Sequence, residues 1–378
     1  MADSSSSVLN SFAPFATDPG SRLREWKGLT GRKIVGCLPM YVPEEVIHAA
    51  GMLPVVISGG RGATPLADAR MPTYACSLVR GSLDLALRGA LDFCDGFVFP
   101  YICDSMQSLS EVWRTNLPQV FNHHILFPGR LDGPAARTYL IEELHRFRGA
   151  IERLAGHSVS DRSLWDSIET YNTSRRRLAR LYDLRRQQPG MFSAREISAI
   201  IQASMLMPKE AHNELLSEVL AEAILRTPKV DARRRLVVSG LLASGSLLET
   251  IEEAGCCIID DDLFNGRRYF EGLAEMAPSP LESLAGRFLS MMPCPTKHDP
   301  SHDYGSHVVE MARKAQAEGV VVLMLKYCDP QAFDYPHLKD RLERAGIPHL
   351  LIESGHDGLA LGQITTRVQA FLEQITGI

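Results

Sequence analysis

Cysteine is the residue type in this sequence that offers the most chemistry, since a thiolate is both a nucleophile and a metal ligand. Among the eight cysteines, Cys103 follows an apolar segment in FPYICDS and Cys328 follows another in LKYCDP. In both places a tyrosine precedes the cysteine and an aspartate follows it. Ligands of open parallel sheets collect at the carboxyl ends of strands. Both thiols are therefore predicted to face a cleft rather than a core.

A third cysteine, Cys76 in TYACSLVRG, stands just before a helix that is predicted to begin near Leu78. Free N–H groups and the helix dipole at such a position stabilise a thiolate or an anionic cluster. Three such thiols could converge on one cluster and leave one iron without a cysteine ligand. However, the chain has no CxxC pair, and its spacings match no local ferredoxin pattern. Packing, catalysis and metal binding therefore all remain open for these cysteines.

The overall composition excludes some classes of partner. With 45% hydrophobic and 22% charged residues, the sequence is typical of a globular protein, and its net charge of -5 argues against a polyanion such as DNA. The first twenty residues lack a basic region followed by an apolar one, and no apolar run reaches the roughly 18 residues of a membrane span. We expect a cytoplasmic protein with no nucleic-acid or membrane partner, whose thiols stay reduced.

Apolar runs that alternate with helical patterns predict parallel βαβ units in both halves of the chain. The predicted strands are Lys33–Leu38, Leu53–Ile57, Gly96–Pro100, Val120–Leu126, Leu236–Ser239, Cys256–Ile259, Gly319–Leu325 and Pro348–Glu353. Between the two halves, apolar residues recur at helical spacing and no strand pattern appears. The fold class is thus α/β, with two Rossmann-like parallel-sheet lobes separated by a helical segment.

The change between strand-and-helix patterns and purely helical patterns also predicts the domain boundaries. They are an N-terminal extension (1–30), an N-terminal α/β lobe (31–130), a helical segment (131–228) and a C-terminal α/β lobe (229–378). Because the two lobes are of similar design, we expect a site in the cleft between them.

Several polar clusters have competing interpretations. The arginines of 175–186 are interpreted as a solvated helix face, with a phosphate or partner contact as the alternative. Arg267 and Arg268 meet either the phosphates of a ligand or the nearby run Asp260–Asp262. The Gly/Ser-rich turn 239–246 could approach a phosphate or a substrate carbonyl, although it matches neither GxGxxG nor a P-loop. His298, His302 and His307 are predicted to lie in one solvated loop.

Five segments, in order across nearly the whole chain, resemble one family of proteins. They are MYVPEEVIHAAGMLPV, CSLVRGSLDLAL, DGFVFPYICDSMQSLSEVW, GCCIIDDDLFNGRRYF and VVVLMLKYCDP. The family is that of the smaller iron–sulfur subunits of 2-hydroxyacyl-CoA dehydratases and ATP-dependent benzoyl-CoA reductases. Within it, VPEEVIHAAGMLP and MPKEAHNELL particularly resemble the C-type subunit of benzoyl-CoA reductase.

The resemblance implies a [4Fe–4S] cluster on Cys76, Cys103 and Cys328. It implies an enzyme that reduces an aryl-CoA thioester together with a homologous B-type iron–sulfur subunit. An ATP-hydrolysing iron–sulfur activator would supply electrons from ferredoxin, since this chain has no P-loop of its own. A subunit of a 2-hydroxyacyl-CoA dehydratase, an electron-relay subunit without a substrate site and a cluster-free α/β binding protein are the alternatives.

Three further residues have roles that depend on this site. Arg80, one helical turn after Cys76, would either offset the charge of the cluster or pair with Asp84. Asp104 and Asp329 each follow a cluster cysteine, and helix capping is favoured for them over proton transfer. The remaining cysteines, Cys37, Cys94, Cys256, Cys257 and Cys294, match no ligand position of the family. No catalytic residue is identified from the sequence.

Overall fold

The computed structural model describes residues 8–60, 62–225, 231–354 and 361–377. The strands are β1 Ile34–Cys37, β2 Leu53–Val56, β3 Gly96–Tyr101, β4 Phe121–Leu126, β5 Arg234–Gly240, β6 Cys256–Asp261, β7 Gly319–Leu325 and β8 His349–Ser354. Every predicted strand is therefore present, with ends that differ by at most two residues. The outer ends of the predicted extension (1–7) and helical segment (226–228), and residues 229–230, 355–360 and 378 of the C-terminal lobe, lie outside the described residues.

Helices occupy most of the chain between these strands. In the first half they are α1 Ala13–Thr17, α2 Pro19–Thr30, α3 Glu44–Ala49, α4 Pro65–Asp68, α5 Ser77–Leu87, α6 Asp104–Asn116, α7 Pro134–Ala155 and α8 Asp161–Gln187. In the second half they are α9 Ala194–Ser204, α10 Lys209–Leu225, α11 Gly245–Glu253, α12 Arg267–Phe270, α13 Pro280–Leu289, α14 Tyr304–Lys314, α15 Asp329–Arg344 and α16 Leu361–Thr376. None of them combines the length and the apolarity that crossing a bilayer requires, within the described residues.

The strands form two parallel sheets with the same topology, which confirms the predicted fold class. One sheet has the order β2-β1-β3-β4 and the other the order β6-β5-β7-β8. In each sheet, the second strand lies on one side of the first strand, and the third and fourth strands lie on the other side. The gap between the first and third strands is the switch point at which such sheets bind ligands. In the N-terminal sheet it lies between β1 and β3, and in the C-terminal sheet between β5 and β7.

Burial on both faces explains why the strands are almost continuously apolar. Every residue of β7 is buried, and so is every residue of β1. Alternate residues of β1 enter different cores, with Ile34 in one and Val35 in the other. The core that contains Ile34 also includes Leu325 at the end of β7. Apolar packing therefore connects the two lobes near the ends of β3 and β7.

Helices α7–α10 fill the predicted helical segment, and they pack on both lobes rather than standing apart. Helix α7 packs on β4 and α13, whereas α8 contacts α3 of the N-terminal lobe and β6 and α12 of the C-terminal lobe. Ser160 begins α8 by accepting a hydrogen bond from the Ser163 N–H at 3.0 Å. The domain boundaries remain predictions, since no contact pattern here separates the segment from the lobes.

The prediction of a solvated arginine face on α8 is wrong at its most important positions. Arg175 is buried and paired with the buried Glu45, and Arg185 is buried and paired with Asp261 at 2.9 Å. Arg176 and Arg180 are exposed, as predicted. A solvated and a buried guanidinium look alike in sequence, because the carboxylate that compensates it comes from a distant part of the chain.

The aspartates at the end of β6 bind the arginines around them. Asp260 accepts from Arg267 and from Arg186 at 2.8 Å each, and Asp262 pairs with Arg268. Arg267 and Arg268 thus make the predicted ion pairs, and a contact with CoA phosphates stays untested. These carboxylates are almost completely buried. A buried negative charge without a cationic partner destabilises the fold, so each carboxylate requires its guanidinium.

Replacing Arg185 with Met should strongly destabilise the fold, because it leaves the Asp261 carboxylate buried without a cation. We expect the free energy of unfolding in urea to fall by about 3–5 kcal/mol. Arg180→Met, on an exposed position of the same helix, is the matched control and should change it by about 0.5 kcal/mol or less. Equal effects of the two substitutions would contradict the assignment.

Candidate functional site

The three predicted cysteines come together around one pocket. Cys76, Cys103 and Cys328 all line a pocket of about 310 Å³, with walls from residues 102–105, 295–296, 327–330 and Phe333. Cys103 comes from the end of β3 and Cys328 from the end of β7, so the pocket lies beside the switch points of both sheets. The prediction of a cleft at matching strand ends is thus met in the geometry.

Each of the three cysteines is the N-cap residue of a helix. Cys76 precedes α5, Cys103 precedes α6 and Cys328 precedes α15, and none of the three side chains makes a capping hydrogen bond. Their sulfur atoms therefore keep free lone pairs at the positive ends of three helix dipoles. First-turn N–H groups are nevertheless close enough to lower the pKa of each thiol.

The position of Cys76 depends on a close approach between α5 and a neighbouring loop. A Cβ atom at Gly81 of α5 would lie 2.7 Å from the backbone N of Gly60. Only glycine allows the helix to pack this closely on the loop that follows β2. This packing holds α5, whose N-cap residue is Cys76, against that loop.

Burial and mutual repulsion keep the three thiols neutral. Burial is the main reason that the pKa of Cys76 is raised to about 11 and that of Cys328 to about 12, and it raises the pKa of Cys103 as well. Neighbouring thiolates add to the shift, since Cys76 and Cys103 both raise the pKa of Cys328. Three thiolates in this pocket therefore need a cationic group between them, and binding one would release their protons.

The donor set suits a cluster better than a single ion. Within the described ranges, no three side chains among His, Cys, Asp and Glu are arranged to hold one metal ion. In an iron–sulfur cubane each thiolate binds a different iron, so the ligands stand further apart than the ligands of one ion. Three neutral thiols around one pocket fit that arrangement.

The structure revises the roles expected for the neighbouring charged residues. Arg80 pairs with Asp68 at 2.5 Å, while Asp84 pairs with Arg88, so the expected Arg80–Asp84 pair is absent. Asp84 is unavailable to Arg80 because it also accepts from the N–H groups at the start of α4. Whether Arg80 offsets the charge of a bound group stays a prediction.

Asp104 and Asp329 line the pocket, but the prediction that they cap helices is wrong by one residue. They are the first residues of α6 and α15, and the cysteines before them occupy the cap positions. A carboxylate in the first turn still stabilises a helix through its dipole. Both also raise the pKa of Cys103 through their negative charge.

One wall of the pocket comes from a loop that the sequence analysis did not assign to the site. Pro295 and Thr296 reach it from the loop after α13, and Lys297 lies next in that loop. Burial lowers the pKa of Lys297 to about 8, while the thiols of Cys294 and Cys103 act in the opposite direction. Lys297 is therefore a cation close to Cys103, in a loop that sequence reasoning assigned no function.

The other predicted loop residues have structural roles. His298 and His302 are exposed as predicted, but His307 lies within α14 and is half-buried. The helix begins inside the predicted loop because Asp303 caps it, accepting from the Ser306 N–H at 3.0 Å. In the turn 239–246, Ser239 bonds to Tyr304 at 2.9 Å and Ser244 caps α11. Those contacts hold the turn within its own lobe.

All eight cysteines are free, and the five outside the site are buried, as packing residues would be.

A second polar group that sequence reasoning missed surrounds Glu44 and Lys209, whose side chains lie 3.9 Å apart and are both buried. Glu44 follows a proline at a helix start, and Lys209 begins another helix, so both look like solvated first-turn residues in the sequence.

The sequence also matches a known protein family. The family model for 2-hydroxyglutaryl-CoA dehydratase, D-component, matches residues 39–375. This chain belongs to that family. The matched region contains every strand except β1, all three pocket cysteines and the helices between the lobes.

Family members with curated names include both dehydratase and reductase subunits. The C-type subunit of benzoyl-CoA reductase from Thauera aromatica is 30% identical, over 93% of each chain. The (R)-phenyllactyl-CoA dehydratase beta subunit of Clostridium sporogenes is 29% identical, over 98% of this chain and 99% of its own. The beta subunit of (R)-2-hydroxyglutaryl-CoA dehydratase from Acidaminococcus fermentans is 28% identical, over 98% and 99%. Identity alone therefore does not separate the two activities within the family.

The raised pKa of Cys328 predicts a slow, strongly pH-dependent reaction with iodoacetamide in the folded, iron-free chain. Because only the thiolate reacts, the logarithm of the rate should rise by about one per pH unit between pH 7 and 10. Peptide mass spectrometry of Cys328 gives that rate. The urea-unfolded chain is the control and should approach a plateau above pH 8.5, about the pKa of a free thiol. A plateau below about pH 9.5 in the folded chain would contradict the prediction.

Proposed function

We propose that the chain is an iron–sulfur subunit of an ATP-dependent benzoyl-CoA reductase and that Cys76, Cys103 and Cys328 hold its [4Fe–4S] cluster. The observation that carries the proposal is the meeting of three uncapped thiols around one pocket between the two lobes. When bound, such a cluster supplies one-electron transfer at low potential. Addition of an electron to an aromatic ring is very unfavourable, so the reaction requires a reductant driven by ATP hydrolysis.

The protein's own contribution is to hold the sulfur ligands and to tune their charge. First-turn N–H groups at α5, α6 and α15 direct partial positive charge at the three sulfur atoms. Lys297 adds a full positive charge near Cys103. The core that contains Cys76 and packs against Cys103 and Cys328 limits the access of water to them. The positive charges favour the more negative, reduced form of a bound group and so raise its potential.

Exposed aromatic side chains beside the pocket support the expected association with other subunits. Tyr74, Tyr327 and Phe333 are 71%, 55% and 84% exposed, and the last two line the pocket. Aromatic residues are enriched at protein interfaces, and their exposure next to a redox site suits electron transfer between subunits. We assign this surface to a homologous B-type subunit, with an ATP-hydrolysing activator and ferredoxin supplying electrons. Eight free cysteines agree with the reducing cytoplasm that we propose as its location.

A dehydratase acting on a 2-hydroxyacyl-CoA is the second candidate enzyme, because two of the relatives described above bear that activity in their names. The same three cysteines would then serve a reaction with no net reduction. In either enzyme the acyl-CoA could be bound wholly by the partner chain, which would make this chain an electron relay.

Replacing any one of the three pocket cysteines with Ala should lower the iron content of the anaerobically purified protein. Loss of one ligand leaves an iron exposed and the cluster labile. Iron and acid-labile sulfide per chain, with the visible absorbance spectrum, give the measurement. Cys37→Ala and Cys94→Ala are the controls, since both thiols are buried away from the pocket. Full iron in all three pocket variants would refute the ligand set.

Turnover of the purified complex should distinguish the two candidate enzymes. For the reductase, benzoyl-CoA is consumed in fixed proportion to a low-potential reductant and to ATP. The comparison assay offers a 2-hydroxyacyl-CoA with only a catalytic amount of reductant, and product analysis by mass spectrometry follows both reactions. Dehydration under those conditions, without net consumption of reductant, would assign the chain to the second candidate.

A further inference from the structure

A second cavity lies between the lobes and shares no lining residue with the cysteine pocket. Its volume is about 60 Å³, and its walls come from residues 37–45, α8, the first turn of α10, the segment 264–270 and α13. It therefore opens beside the carboxyl end of β1, next to the switch point of the N-terminal sheet. The function proposed for the cysteines does not involve it.

The charges around this cavity do not balance. Arg175 pairs with Glu45, Lys209 lies 3.9 Å from Glu44, and Arg268 pairs with Asp262. After these pairings one cation in the wall, Arg287, is left without an ion-paired carboxylate among the residues that the structure describes. Arg287 still interacts with Glu45 and Glu44 at longer range, but four cations here face three carboxylates. An excess of positive charge away from water is costly, and it makes the cavity attractive to an anion.

Arg287 is held in place by neutral groups. Its guanidinium donates to the backbone carbonyl oxygens of Gly272 and Glu271, at 3.1 Å each, and of Tyr269 at 3.4 Å. Burial, and then the charge of Arg175, lower the pKa of Arg287 to about 9, whereas the charges of Glu45 and Glu44 oppose this shift. The side chain is thus oriented by the main chain and keeps capacity for a negatively charged partner.

A hydroxyl donor without a partner in the described part of the chain lies in the same wall. The Tyr41 hydroxyl is buried and makes no hydrogen bond there, although Arg268 and Cys294 lie near it. The other two tyrosines of the cavity are occupied, since Tyr269 and Tyr171 both donate to Glu44, at 2.9 and 3.2 Å. A buried hydroxyl that lacks an acceptor costs about 1–3 kcal/mol, so Tyr41 also favours an oxygen-bearing ligand.

The volume limits what that ligand is. An apolar cavity that binds benzene measures about 150 Å³, and this one, at about 60 Å³, is too small for an aromatic ring. It accommodates about four to six waters or an anion of a few heavy atoms. We infer that the cavity binds a small carboxylate or carbonate anion, such as formate, acetate or bicarbonate, with Arg287 as its counter-cation and the Tyr41 hydroxyl as a donor.

Such an anion would connect parts of the chain that belong to different lobes. Tyr41 lies in the loop after β1, whereas Arg287 lies in α13 and Arg268 follows β6. Binding to the folded state alone stabilises it by mass action, so the bound anion would strengthen the docking of the lobes. This site shares no residue with the pocket of Cys76, Cys103 and Cys328, and its failure would leave the proposed function untouched.

Thermal unfolding of the complete chain, purified anaerobically with its native partners, tests the inference. Sodium formate should raise the Tm saturably, on the order of 2 °C at about ten times its dissociation constant, beyond the effect of sodium chloride at equal ionic strength. Arg287→Gln should abolish this rise and Tyr41→Phe should weaken it severalfold. Arg180→Gln, an exposed arginine outside the cavity, is the matched control and should retain the full rise.

Three outcomes of the unfolding experiment would count against the anion site. A formate effect no larger than that of chloride, or a full effect in Arg287→Gln, would overturn the proposal. Stabilisation by sodium benzoate but not by formate would also overturn it, since it would identify an aryl site. If Arg287→Gln does not fold, Arg287→Lys replaces it. That variant keeps the charge without the planar fork, and it should bind formate more weakly than the native chain does.

Discussion

Three consecutive carboxylates at the end of β6 impose the constraint on which the interlobe geometry depends. Asp260, Asp261 and Asp262 are buried, so each must find a guanidinium, and these come from α8 and from the segment that begins α12. The same helix α8 also carries Arg175, which pairs with Glu45 of the N-terminal lobe. A single helix is thereby fixed by buried charge to both lobes. Those pairs therefore connect the two lobes on either side of the cleft.

Strand positions and the cleft thiols could be predicted because they follow from local patterns. Fully buried parallel strands are continuously apolar, as in β3 and β7, and the residues after them must leave the core at the carboxyl edge. Two similar lobes therefore place Cys103 and Cys328 at matching strand ends. Cys76 could be placed before a helix, but its approach to the other two depends on packing between α5 and the loop at Gly60. Nothing in local sequence shows such an approach.

The predictions failed where a residue's environment comes from distant parts of the chain. Arg175 and Arg185 looked solvated because their carboxylate partners are far away in sequence. Asp104 and Asp329 looked like helix caps because aspartate commonly is one, whereas here the preceding cysteines take that position. Helix propensity describes an isolated segment well. It carries no information about which charged side chain from elsewhere in the chain will contact that segment in the folded protein.

The origin of the pocket cysteines in two lobes has a consequence for the order of biogenesis. Cys76 and Cys103 are synthesised with the first lobe, but Cys328 follows the third strand of the second. No nascent chain shorter than 328 residues holds all three thiols, so a group that needs the full set can be inserted only after most of the second lobe has been made. Delivery machinery would meet a finished cleft whose rim bears Tyr327 and Phe333, and would have to act before a partner protein buries it.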